Sequence, residues 1–232
     1  MHVVITGASK GIGRAIAAHF AREGADMFLC SRHMDAEGAW QRRLMEEHPC
    51  TVATRNVDLS DAAAVDGFAA EVLAAFPKVD ILVNNAGVFE PGSLHAEPED
   101  RLERMLRINL HSAYRLTRHL LPDMMRRRSG HVFNICSVAA LQAYPDGGSY
   151  SISKWALLGF SRNLREEMKP HGVKVTAVHP GATMTASWDG SGVSPERIME
   201  ADDIAAMVVA SSRLSHKACV EDIIIRPQLG DL

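Results

Sequence analysis

Residues 150–154 read YSISK. A tyrosine and a lysine four positions apart stand on one face of a helix, so the phenol of Tyr150 and the ammonium of Lys154 can share a small volume. A free phenol has a pKa near 10 and is a poor base at neutral pH, but a nearby ammonium favours the phenolate. The pair is therefore either a device for passing a proton to and from an oxygen or an ordinary surface pair. The remainder of the chain has to choose between them.

A second stretch suggests a ligand. After the first apolar run comes TGASKGIGRAIA, with Gly7, Gly11 and Gly13 spaced to turn tightly, approach a phosphate closely and open a helix whose free N–H groups favour negative charge. That position, closing a strand and starting a helix, is the context of a dinucleotide fingerprint. A fold binding NAD usually places a carboxylate near the end of the second strand to meet the adenosine ribose. Here that strand ends FLCSRH, with Ser31 and Arg32 instead. Arg32, joined by Lys10 of the glycine loop, suits a 2′-phosphate, which makes NADP(H) the expected cofactor and NAD(H) the alternative.

The elements that must position these residues follow from periodicity. Strand-like runs at 2–6, 26–30, 51–57, 80–84, 131–136, 173–178 and 220–225 alternate with helical patterns near 12–23, 36–47, 61–75, 100–127, 149–168 and 202–212. Such alternation predicts an α/β fold: a single-domain, Rossmann-like, doubly wound parallel sheet of about seven strands with helices on both faces, spanning 1–232. Ser60 is the expected cap of the third helix. In the 149–168 helix, Ile152, Ala156, Phe160, Leu164 and Met168 form a stripe at intervals of four, with Trp155 and Leu158 beside it. A helix so widely apolar wants cover beyond its own sheet, from a second subunit or a broad core face.

Composition excludes several classes. A net charge of −3 gives no basic field for nucleic acid or an anionic membrane. The four cysteines, Cys30, Cys50, Cys136 and Cys219, form no C-x-x-C pair, so neither a metal site nor a disulfide framework is indicated, and a reduced cytoplasmic setting is expected. No apolar run approaches the roughly 18 residues of a membrane helix. His179, at a strand end, reads as packed or solvated and stays outside the site. Cys136, beside Ser137, should point to the opposite face and into the core.

In order and spacing, the motifs resemble those of the classical short-chain dehydrogenase/reductase family over nearly the whole chain. After the glycine loop come Asp58-Leu59, NNAG at 84–87, Asn109 in RINLHSAYRLT, Ser137, Tyr150 with Lys154, and HPGATMT at 179–185. The resemblance implies that Gly7, Ser9, Gly11, Ile12 and Gly13 cradle the cofactor phosphates and that Asp58, with Leu59, meets the adenine. It implies too that Asn85, Ala86 and Gly87 line the cofactor, while Pro180, Gly181, Thr183 and Thr185 position the nicotinamide. Tyr150 would then be general acid/base, and Lys154 its electrostatic activator and ribose contact. Ser137 would orient the carbonyl, and Asn109 would hold a water linking Lys154 to solvent.

These roles describe hydride transfer between a nicotinamide and a small or medium carbonyl or secondary alcohol. The segment ASWDGSGVSPERIMEADDIA, broken by Gly190, Gly192 and Pro195, is the expected substrate-side flap, offering Trp188 and Met199; Leu141 and Tyr144 would form the opposite wall. The ending EDIIIRPQLGDL departs from the glycine-rich ending of the family's ketoacyl thioester reductases, so a 3-oxoacyl-[acyl-carrier-protein] reductase stands as an alternative. A non-catalytic NADP(H)-binding redox sensor is the alternative of a different class. The resemblance also implies a homodimer or homotetramer.

Overall fold

The computed structural model describes residues 1–35, 38–185 and 192–231. Its strands are β1 (His2–Thr6), β2 (Asp26–Ser31), β3 (Val52–Asn56), β4 (Ile81–Asn84), β5 (Gly130–Ile135), β6 (Val173–Pro180) and β7 (Asp222–Ile225). They form one parallel sheet in the order β3-β2-β1-β4-β5-β6-β7. The chain thus winds outward in both directions from β1 and β4, leaving a crevice at their carboxyl ends where a ligand can enter.

Seven α-helices are described: α1 (Gly11–Arg22), α2 (Ala39–Glu47), α3 (Ala62–Ala75), α4 (Arg101–Leu106), α5 (Ser112–Arg127), α6 (Gly148–Met168) and α7 (Ala201–Ser212). Alternate residues of the strands feed two cores, as the two-residue period of a strand requires. Val3, Ile5, Met27, Leu29, Val83 and Phe133 meet Ile16 and Phe20 of α1 and Ile204 and Val208 of α7. On the other face Val4, Phe28, Leu82 and Val132 meet Phe68 of α3, Leu116 and Leu120 of α5, and Leu164 and Met168 of α6.

Three expectations need correction. The helix expected over 100–127 is interrupted by a π-helical stretch, Arg107–His111, centred on Asn109. One extra residue in that turn is invisible to a 3.6-residue pattern; such insertions sit often at functional sites. Asp61, not Ser60, caps α3 by accepting from the Ala63 N–H, while Ser60 turns back to Asp58. The i+4 stripe on α6 is not one face. Each four-residue step overshoots a 3.6-residue turn by about 40°, so Ile152 is exposed, Ala156 and Phe160 are half-buried, and Leu164 and Met168 are buried.

Candidate active site

The glycine loop joins β1 to α1 under tight geometric constraint. Gly7 and Gly11 have φ of +68° and +56°, which L side chains rarely adopt. Gly13 is helical, yet a Cβ there would lie 2.4 Å from both the Gly7 carbonyl oxygen and Asn85 Nδ2. The first turn of α1 therefore packs directly on the loop. Lys10 at its N-cap makes no side-chain cap, and with Gly7, Ser9, Gly11 and Ile12 it lines a cleft of about 530 Å³. Uncapped N–H groups facing a cleft suit a phosphate, so these residues fit a dinucleotide.

Neighbouring strand ends brace that loop. Thr6 Oγ1 accepts the N–H groups of Asn85 and Ala86, each at 3.0 Å, and Asn85 Nδ2 donates to the carbonyls of Thr6 (2.9 Å) and Gly7 (3.0 Å). Asn84 instead ties β4 to β5 through Asn134 Oδ1 at 2.8 Å and to α5 through Thr117 at 3.0 Å, away from the cleft. At the outer end Ser31, Arg32, Asp58 and Leu59 line the cleft, and the hydroxyls of Ser9 and Ser31 lie 2.9 Å apart. Two hydrogen bonds from Ser60 and the nearby Arg32 charge hold the Asp58 carboxyl below its ordinary range.

At the inner end the loop after β5 brings Ser137, and the first turns of α6 bring Tyr150 and Lys154, into the same cleft. The Ser137 hydroxyl accepts the Ala139 N–H at 3.1 Å and lies near enough to the Tyr150 phenol to favour its ionised form. Lys154 is 5% exposed and its Nζ donates to the Ile135 carbonyl at 2.9 Å. The N-terminus of α6 is pinned by Glu97, whose carboxylate accepts the N–H of Ser149 at 3.0 Å and its hydroxyl. An anion suits that end of a helix. Sequence reasoning missed Glu97; its only signal was an acid in a loop far from the helix it caps.

The electrostatics differ from the sequence expectation. Burial pushes the Tyr150 phenol up to about 12, only partly opposed by Ser137, and pushes Lys154 down to about 8. Lys154 Nζ sits 5.8 Å from the phenol ring centroid, aimed at a backbone carbonyl, so desolvation outweighs its attraction for phenolate. Asn109 also differs. Its side chain does not line the cleft: Oδ1 accepts the Val88 N–H at 2.8 Å, and Nδ2 donates to the Val88 carbonyl (3.1 Å) and Ser153 Oγ (2.8 Å). It stands close to Lys154, for a Cβ on Gly87 would meet Asn109 Oδ1 at 3.2 Å and Lys154 Nζ at 3.4 Å.

Pro180, Gly181, Thr183 and Thr185 line the cleft beyond β6, as do Ala86 and Gly87 opposite. Tyr144 is in the wall, but Leu141 packs against the core group of Ala113, Cys136 and Leu157. Gln142 takes the wall position, and Phe89 meets the Tyr150 ring edge-on at 4.7 Å. Neither was foreseen, because a short irregular loop has no period to say which residue faces in. Met199 is buried in the core beside α7 rather than facing substrate. Trp188 and Gly190 lie outside the described residues. Cys136 is in the core with Sγ 4.0 Å from Ser161 Oγ, and burial pushes its thiol up to about 11.

Comparison with known proteins agrees with this geometry. The family model described as short chain dehydrogenase matches residues 1–192. A sepiapterin reductase of Chlorobaculum tepidum is 34% identical over 99% of this chain and 97% of its own. Dehydrogenase/reductase SDR family member 7B of Bos taurus is 38% identical over 77% of this chain, which spans 57% of that protein's length. An alcohol dehydrogenase from the archaeon Thermococcus sibiricus, solved with 5-hydroxy-NADP, superposes with a TM-score of 0.90 at 31% identity, covering 98% of this chain and 96% of the other. A glycine cradle, a paired Tyr150 and Lys154, and a match over most of the sequence converge on one conclusion: the chain belongs to the short-chain dehydrogenase family.

Proposed function

We propose that this protein is an NADP(H)-dependent oxidoreductase that interconverts a small or medium carbonyl compound and its secondary alcohol, with residues 1–232 working as one unit. The observation that carries the reading is a single cleft lined at one end by the glycine loop and at the other by Ser137, Tyr150 and Lys154. NADP(H) is favoured over NAD(H) because Ser31 and Arg32 line the cleft at the tip of β2, and the related Thermococcus enzyme holds an NADP derivative.

When bound, the dinucleotide supplies or receives the hydride at the carbonyl carbon. Ser137 donates its hydroxyl hydrogen to the carbonyl oxygen and fixes it beside Tyr150. As the π electrons move onto that oxygen, Tyr150 gives up its phenolic proton to it, and the Lys154 ammonium stabilises the phenolate that remains. Asn109 supports the lysine side of this relay from beside Gly87 and Ser153. In alcohol oxidation every proton moves the other way.

Phe89, Val138, Gln142 and Tyr144 line the reaction end and favour an uncharged substrate with an apolar body. The 3-oxoacyl thioester and the sensor remain as the competing readings. A homodimer or tetramer is supported by exposed Tyr114, Ile152 and Trp155 on α5 and α6 and by exposed Ile224 on the edge strand β7. No helix among the described residues is long and apolar enough to cross a membrane. The test is optical: NADPH and NADH oxidation with acetoacetyl thioesters, keto acids, diketones and aromatic aldehydes. Turnover with NADPH that is absent in Tyr150→Phe supports the reading; tight NADPH binding with no turnover on the whole panel counts for the sensor.

A further inference from the structure

Three strand ends meet at one buried imidazole. His179, near the end of β6, is 0% exposed. Its Nδ1 lies 3.2 Å from the carbonyl oxygen of Ser137, just past β5, and its Nε2 lies 2.8 Å from Oδ1 of Asp222, the first residue of β7. Both facing atoms are acceptors. A neutral imidazole has a single N–H, so one of the two contacts would set lone pair against lone pair; a ring protonated on both nitrogens satisfies both. The Asp222 side chain is 39% exposed, so its carboxylate keeps contact with water and offsets the buried positive charge.

The other buried histidine shows the contrast. His131 stacks on Phe133 and hydrogen-bonds the Thr176 hydroxyl through Nε2 at 2.7 Å; among the described residues its Nδ1 has no hydrogen-bond partner, and burial pushes the ring down to about 3, leaving it neutral. Nothing near His131 asks for a second proton. At His179 the surroundings do, and what the second proton holds is the backbone of the residue that orients the substrate.

We propose that His179 is an imidazolium clamp, a positioning residue that fixes the Ser137 carbonyl from below while Asp222 holds the clamp. The carbonyl also accepts the Ala140 N–H at 3.0 Å, and the Ser137 hydroxyl accepts the Ala139 N–H, so the clamp completes a set of contacts that holds both oxygens of the serine. His179 directly precedes Pro180 and Gly181 of the cleft wall, so the same side chain ties the serine loop to the wall of the cofactor end. The kinetic part rests on the reading of Ser137 as carbonyl orienter; the protonation and the hydrogen bond do not.

Long-range 1H–15N correlation spectra of histidine-labelled protein at pH 7 test the clamp without activity. His179, assigned by its loss in His179→Asn, is expected to show two protonated ring nitrogens and His131 one; a single protonated nitrogen on His179 overturns the proposal. Asp222→Asn, which leaves the ring in place, should remove its second proton. The Ser137 carbonyl 13C resonance should shift in His179→Leu and return in His179→Asn, whose amide N–H can replace Nδ1–H. With NADPH and 2,3-butanedione, His179→Leu should lose about ten- to a hundredfold in kcat with KM for NADPH within about twofold, and His179→Asn should recover most of it. Equal impairment of both variants, or an unimpaired Leu variant, overturns the positioning role. If the unaltered protein leaves the diketone untouched, the choice of substrate fails, and the carbonyl shift alone decides the clamp.

Discussion

The two ends of the cleft are built from opposite materials. At the phosphate end the chain works by leaving side chains out: Gly7 adopts φ +68°, and Gly13 lets α1 rest on the Gly7 carbonyl. The cost there is conformational, since glycine loses more freedom on folding than any other residue. At the reaction end the chain works by burying ionisable side chains, and burial moves both away from their charged forms, the phenol up to about 12 and the amine down to about 8. The cost there is desolvation. One end is shaped for a charge that arrives with the ligand; the other holds charge that is used only while the reaction passes through.

The largest expected effect tests the reaction end. Tyr150→Phe removes the proton donor while keeping the ring against Phe89, so turnover should fall by about a thousandfold with NADPH affinity within a few-fold of normal. Comparable losses of affinity and rate would blur the division, because the phenol would then be a binding group. Gly13→Ala tests the other end. In an ordinary helix the change gains up to about 1 kcal/mol. Here the new methyl meets backbone and Asn85 at 2.4 Å, so a net loss of about 1–3 kcal/mol in unfolding free energy is expected by chemical denaturation, with weakened NADPH binding.

A smaller effect should mark the outer rim. Arg32→Ser removes one cation at the tip of β2 and should lower the preference for NADPH over NADH by about ten- to a hundredfold in kcat/KM, leaving kcat with saturating cofactor nearly unchanged. An unaltered preference would shift the recognition of a 2′-phosphate to Lys10 and the Ser9 and Ser31 hydroxyls, and the cation at the rim would then come from the glycine loop and not from the tip of β2.

How legible each end was follows from the same contrast. The loop is written in glycine spacing and the strands in apolar periodicity, so both, and the doubly wound parallel sheet they imply, can be read directly. Tyr150 and Lys154 are legible because a helix has a fixed period. The π-helical turn around Asn109 breaks that period by one residue, and nothing in RINLHSAYRLT announces it. The same holds for Gln142 replacing Leu141 in the wall and for Glu97 reaching the start of α6 from fifty-two residues away. The sign of the Tyr150 shift was also hidden, because it depends on depth: spacing shows that Lys154 is near, and only the fold shows that it is buried and turned toward Ile135.

Lys154 gives the finest test, because its effects on activity and stability should run in opposite directions with pH. Its pKa falls from 10.5 to about 8 in the folded protein, so between those values the unfolded chain binds more protons than the folded one. Stability therefore rises with pH across that window; the penalty, about 3 kcal/mol, is fully present below pH 8. Activity moves the other way. Above pH 8 the neutral amine no longer supports a ribose contact or a phenolate, so kcat/KM for NADPH, which reads the free protein, should fall about tenfold per pH unit. Lys154→Met should abolish turnover, remove the rise in stability between pH 8 and 10, and stabilise the fold at pH 7 by about 1–2 kcal/mol, the relieved penalty exceeding the lost bond to the Ile135 carbonyl. A destabilised methionine variant whose unfolding free energy keeps the original pH slope would mean that the lysine is comfortable where it lies, and that the two ends of the cleft are less different than their chemistry suggests.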